Sequence, residues 1–124
     1  MGRYGIDWDK GLKNFTDEDY DKIMIETTKI INKDEPSDLL PGAYYDRGII
    51  NYNRDNYDNA ISDFTSALQL HCIHPFAAYY NRGLAFYCKK QYEKALSDFY
   101  EAEHINPNDP EIKNMIQQII KIKI

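Results

Sequence analysis

Few side chains in this sequence have both the type and the spacing for chemistry. His71, Cys72 and His74 form the one cluster of metal-ligating residue types. A zinc site needs four ligands, or three and a water, usually in spaced pairs. Only His104 remains to extend the set, so no metal site is expected. The sequence holds no nucleophile set beside a base, no glycine-rich phosphate loop and no paired-carboxylate pattern. Neither catalysis nor a cofactor is expected. Two other groups stand out. Arg47 occurs with Asp63 and Arg82 with Asp98, a coincidence that favours one structural ion pair per unit over arginines held ready for an acidic ligand. The other group is tyrosine, eleven of them. A tyrosine offers broad apolar area, few rotors to freeze and a polar tip, which is recognition chemistry.

The elements that position these residues are written twice. Tyr44 and Tyr79, Tyr45 and Tyr80, Arg47 and Arg82, Gly48 and Gly83, Tyr52 and Tyr87 all stand 35 positions apart. So do Tyr57 and Tyr92, Ala60 and Ala95, Asp63 and Asp98, and Phe64 and Phe99. A period of this size is the mark of stacked repeats, each too small to close a core and burying one face on its neighbour.

Within the first copy, the pattern predicts a helix over 41–53, a tight turn at Arg54, Asp55 and Asn56, and a second helix from Tyr57. Tyr57, Ala60, Ile61, Phe64, Ala67 and Leu68 form its apolar stripe at helical spacing. Gly48 and Ala60 are small enough to let the two helices approach, with Phe64 filling the space beside them. Gly83, Ala95 and Phe99 repeat that trio in helices over 76–89 and 92–105. Upstream, Thr16 with Asp19 forms a capping pattern for a helix over 17–32, and Pro36, within a linker over 33–37, would stop that helix. Residues 1–16 suggest a short helix from Trp8, Leu12 and Phe15, weakened by Gly2, Gly5 and Gly11. Downstream, Asp109 and Pro110 start a last helix striped by Ile112, Met115, Ile116, Ile119 and Ile120, with Ile122 and Ile124 beyond the stripe. The expected organisation is a helical segment over 1–40, repeats over 41–75 and 76–109, and a capping helix over 110–124.

Composition narrows the function. An apolar content of 43% with 28% charged residues is that of a folded domain. A net charge of −5 and scattered basic residues speak against nucleic acid, whose binding rests on clustered Lys and Arg. No apolar run approaches the ~20 residues of a membrane span, and no signal-peptide core is present, so no membrane association is expected. Two cysteines in different elements, Cys72 and Cys88, suit a reducing cytoplasm rather than a disulfide framework.

The two copies resemble tetratricopeptide repeats, helix–turn–helix units of about 34 residues. The resemblance rests on Gly48/Gly83, Ala60/Ala95, Ala67/Ala102, Tyr57/Tyr92, Phe64/Phe99 and Pro107, and covers about 41–109. Cys72 stands where the family usually has a proline, Arg47 and Arg82 where it more often has leucine, and Asn51 where the second copy keeps Phe86. Trp8, Leu12, Phe15, Met24 and Pro36 fall roughly where a degenerate preceding repeat would have its markers. The resemblance implies an all-α fold, a right-handed α-α superhelix of antiparallel helix pairs with an N-terminal helical segment and a C-terminal capping helix.

It also implies a site. First helices of successive repeats line a concave groove for peptides, here Tyr45, Asp46, Ile49, Tyr52 and Asn53 with Tyr80, Asn81, Leu84, Tyr87 and Cys88. Relatives that clamp the C-terminal carboxylate of heat-shock chaperones use Lys and Asn, then Asn, then Lys and Arg. Of that set Asn81 alone survives, with Tyr45, Ile49, Glu111 and Met115 at the other places, so that ligand is not expected. The expected function is a non-catalytic scaffold module that binds a peptide segment of a partner protein. The rival is self-association, a homodimer formed through the isoleucine-rich C-terminal helix.

Overall fold

The structure, a computed structural model, describes residues 15–33 and 35–123. The helix suggested around Trp8 and Leu12, and Ile124 of the expected capping helix, lie outside the described residues. Six helices follow one another: α1 Asp17–Asn32, α2 Leu40–Asn53, α3 Tyr57–Gln69, α4 Pro75–Cys88, α5 Tyr92–Ile105 and α6 Pro110–Lys123. No strand occurs among the described residues. Each helix packs on the next, and α2 also meets α4. This is the connectivity of stacked hairpins, α2 with α3 and α4 with α5.

Local chemistry sets the helix ends. Thr16 and Asp19 form the expected capping box, each side chain accepting from the other's backbone N–H at 3.1 and 3.0 Å. Asp109 accepts from the Ile112 N–H at 3.0 Å to open α6. The ends of α2, α3 and α4 share one device. The N–H groups of Asn56, Cys72 and Gln91 return to the carbonyls of Asn51, Ala67 and Phe86 at 2.8, 3.0 and 2.9 Å. The residue before each, Asp55, His71 and Lys90, has φ of 63°, 57° and 62°. That is the Schellman closure, usually made by glycine because a Cβ is strained there.

The core runs in steps along the stack. Ile23 of α1 meets Ile50 of α2. Ala60 and Phe64 close the first hairpin with Ile49, and Ala67, Cys72 and Ala78 join it to the second. The second hairpin then shares one core with the last helix, where Ala95, Phe99 and Ala102 receive Ile112, Ile116 and Ile119. Ile112, Ile116 and Ile119 are at most 5% exposed, so the stripe of α6 is covered by its own chain, leaving Ile122 as the large exposed apolar residue of that helix.

Each hairpin is also locked by the expected ion pair. Nε and Nη2 of Arg47 donate to Oδ2 and Oδ1 of Asp63 at 2.9 and 2.8 Å, and those of Arg82 to Asp98 at 2.8 and 2.7 Å. Both aspartates are 4% exposed, so the fork geometry offsets the cost of desolvating them. The surroundings differ. Asp63 takes a third hydrogen bond from Asn51 Nδ2 at 3.0 Å. In the second hairpin the extra bond comes from the arginine instead, Nη1 of Arg82 donating to Thr65 Oγ1 on α3 at 3.0 Å and so tying the two repeats together.

Candidate functional site

The side-by-side packing of α2 and α4 brings the tyrosines of both copies onto one wall. Asn81 Nδ2 of α4 donates to the Tyr45 hydroxyl of α2 at 3.4 Å, and Tyr52 Oη meets Cys88 Sγ at 4.0 Å. These two cross-helix contacts lie two turns apart. The wall continues toward α6, because Tyr80 packs on the core that Ile112 and Ile116 of that helix share.

The rings are held from behind. Tyr45 leans on Phe64 with centroids 5.8 Å apart, and Tyr80 on Phe99 at 5.9 Å and on Phe76 at 6.4 Å. Tyr52 and Tyr87 each meet the first residue of the following helix edge-on, Tyr57 at 5.7 Å and Tyr92 at 5.6 Å. Such offset and edge-on contacts fix ring orientation beyond what burial alone contributes. Every one of the four is half-buried, so each ring presents an edge and its hydroxyl while the rest anchors it.

Burial sorts the other sequence-predicted residues. Ile49 is 7% exposed and packs with Ala60 and Phe64, placing it beneath the wall as support. Leu84 is half-buried against the second core, and Asn53 is exposed at the end of α2. Asp46 is 7% exposed. Gly48, Ala60, Phe64, Gly83, Ala95 and Phe99 are all buried between paired helices. Sequence reasoning did not connect Arg82 to Thr65, since that pair does not recur at the repeat spacing.

Electrostatics on the wall have one sign. Burial and the neighbouring Asp46 push the Tyr45 hydroxyl up to about 12, and the Asn81 hydrogen bond pulls the other way. Burial and the adjacent Cys88 raise Tyr52 to about 12, with Asp55 adding to the shift. Burial also raises Tyr80, with the Glu111 carboxylate and then Asp109 adding to the shift. These three phenols are uncharged at physiological pH.

The metal-type cluster is not assembled. Cys72 is 8% exposed and points into the junction with Ala67 and Ala78, whereas His71 and His74 are exposed. Among the described residues no three His, Cys, Asp or Glu side chains converge on a metal position. No described helix is long and apolar enough to cross a membrane.

Stacked antiparallel hairpins with a glycine under an aromatic ring in each define the α-solenoid class. Residues 76–109 match the family model of the tetratricopeptide repeat, and the chain has the right-handed solenoid fold of tetratricopeptide-repeat domains. The first tetratricopeptide domain of Spaghetti (RPAP3), bound to an HSP90 peptide SRMEEVD, is 25% identical with a TM-score of 0.74. That similarity covers 92% of this chain and 87% of that one. The first such domain of human RPAP3 is 25% identical, with a TM-score of 0.72 over 91% of this chain and 86% of that one. The myosin chaperone UNC-45 from C. elegans is 29% identical, with a TM-score of 0.69 over 93% of this chain but 13% of its own length. No curated protein sequence matches the chain. Tetratricopeptide-repeat domains are generally non-catalytic interaction modules.

Proposed function

We propose that the chain is a protein-interaction module that captures a peptide segment of a partner protein on the wall formed by Tyr45, Tyr52, Asn53, Tyr80, Asn81, Leu84 and Tyr87, with Ile49 as its support. The observation that carries this reading is the peptide-bound Spaghetti (RPAP3) domain, similar over nearly the whole chain. Binding a peptide is thereby a property of this fold at this length. The tyrosine wall supplies the rest: pre-oriented rings lose little entropy on binding, and Asn81 can both donate to and accept from a ligand backbone. Cys72 and Cys88 are free thiols, which agrees with a scaffold working in the cytoplasm.

The test is partner retention from native lysate by the wild-type chain and by Asn81→Ala and Tyr87→Ala variants, with thermal melts run alongside. Loss of the partner at an unchanged melting temperature supports the groove. Equal retention by all three proteins removes it. The rival reading, self-association through the last helix, has less to draw on because Ile112, Ile116 and Ile119 are already buried within the chain.

A further inference from the structure

We propose that a partner segment lying on the tyrosine wall seats a bulky aliphatic side chain in the cleft at the end of that wall, between residues 36–41 and residues 70–74. This rests on the peptide-binding reading above and names the anchor residue such a segment must carry.

The cleft has a volume of about 840 Å³, within the range of sites that enclose a ligand. Its sides are the linker that runs into α2 and the loop that joins α3 to α4. Leu39, Leu70 and Ile73 line it and are exposed, Ile73 to 88%. Large apolar side chains scattered singly over a surface are ordinary, but three gathered at one concavity mark a contact site. Ser37, Asp38, His71 and His74 are its exposed polar members.

Both sides are in place without a ligand. Ser37 Oγ accepts from the Leu39 N–H and the Ser37 carbonyl from the Leu40 N–H, each at 3.1 Å. Across the cleft, the left-handed turn at His71 and the bond from the Cys72 N–H to the Ala67 carbonyl hold the loop. Cys72 is buried there against Ala67 and Ala78. An entering side chain therefore orders little besides itself.

Tyr45 joins the cleft to the wall, and that continuity selects the occupant. It lines the cleft and packs on the cluster of Ala67, Cys72 and Ala78, while its hydroxyl accepts from Asn81 on the wall. A ligand lying along α2 from Tyr52 toward Tyr45 next reaches Pro41 and Gly42, the first-turn residues of α2 that line the cleft. From Tyr52 to Pro41 the helix rises about 16 Å, a span covered by about five extended ligand residues. A leucine-like side chain at that reach is buried among Leu39, Leu70 and Ile73, whereas a charged one would give up its water to three apolar groups.

Two blocked, dye-labelled peptides of equal length test the anchor on the full chain. Both are runs of asparagine and alanine, one with leucine at each end and the other with serine, so that either chain direction offers the anchor. Fluorescence anisotropy gives affinity, and amide NMR shifts locate the contact. The leucine peptide is expected to bind about tenfold tighter, as burial of most of one such side chain implies, and to shift Leu39, Cys72 and Ile73 together with Tyr45 and Asn81. Leu39→Asp and Ile73→Asp replace exposed side chains, so the melting temperature should hold while the leucine peptide loses its advantage. Equal affinity for the two peptides, with Tyr45 and Asn81 shifting, overturns the anchor and leaves the groove standing. If neither peptide shifts α2 or α4 amides, both readings fall. Two other occupants would reveal themselves without a peptide, and either overturns the anchor. A second copy is the occupant if the chain sediments as a dimer that Ile73→Asp separates, and residues 1–14 are the occupant if Ile73→Asp alone shifts their amides.

Discussion

A methyl group built on Gly83 would lie 2.7 Å from Cε1 of Phe99, and one on Gly48 would lie 2.8 Å from the same atom of Phe64. Real Cβ atoms do not approach so closely, so each glycine marks the seat of one aromatic ring. Phe64 and Phe99 are fully buried and touch the tyrosine wall from behind, which removes room for them to retreat. Gly83→Ala is expected to cost about 1–3 kcal/mol through overpacking, and Gly83→Leu to unfold the second hairpin. Urea denaturation followed by circular dichroism measures both. An alanine variant as stable as wild type would show that the ring has space to move.

The two ion pairs should respond unequally to the same truncation. Arg82→Ala leaves Asp98 buried without its fork and also loses the tie to Thr65, a loss expected to reach about 3–5 kcal/mol. Arg47→Ala leaves Asp63 with the Asn51 amide still in place, so its loss should be smaller by about 1 kcal/mol. Denaturant midpoints of the two variants give the order. The reverse order would mean that the bond between repeats contributes nothing.

Alkaline pH should weaken the fold. Tyr45 and Tyr52 have folded pKa values near 12 against an ordinary value of 10.0. The folded state therefore holds these protons more tightly than the unfolded one. Their contribution is complete below pH 10, and is lost as pH rises through about 12. Phenolate absorbance should show a late-titrating pair, and Tyr45→Phe should remove part of that late phase. If all tyrosines ionise together with the fold intact, the wall is wetter than its geometry indicates.

The left-handed caps offer a gain. Lys90 has φ of 62°, where an L side chain is strained by roughly 1–2 kcal/mol. Lys90→Gly relieves that strain at some entropic cost in the unfolded chain, for a net stabilisation of about 0.5–1 kcal/mol. The melting temperature should rise. A fall would mean that the lysine side chain contributes more than its backbone strain removes.

How far the fold could be read beforehand depends on what repeats. The helix over 17–32 matches α1, 41–53 starts one residue later than α2, and 76–89 is displaced by one residue at both ends from α4. The trios of Gly48, Ala60, Phe64 and Gly83, Ala95, Phe99 were visible because each was written at the same spacing twice. The arginine–aspartate pairs were visible for the same reason. What was hidden carries no duplicate or no usual residue. Asp55, His71 and Lys90 close helices without the glycine that normally signals the turn. Thr65 has Tyr100 as its counterpart, so nothing in the second copy points to its bond with Arg82. The stripe of Ile112, Ile116 and Ile119 showed that α6 is covered, but periodicity cannot say by which chain, and the packing answers with α5. For the wall, the tyrosine positions were legible and their unequal depth was not, since burial is set by the neighbouring helix rather than by the helix that carries the residue.

The Arg82–Thr65 contact reaches from the helix bearing Tyr80 and Tyr87 back to the outer helix of the preceding unit. It is a strut at the back of the two helices, one hydrogen bond added to the packing of α3 on α4. A variant that breaks it is therefore expected to loosen the seating of one repeat on the next from the rear of the molecule, with Tyr52 and Tyr80 themselves unaltered.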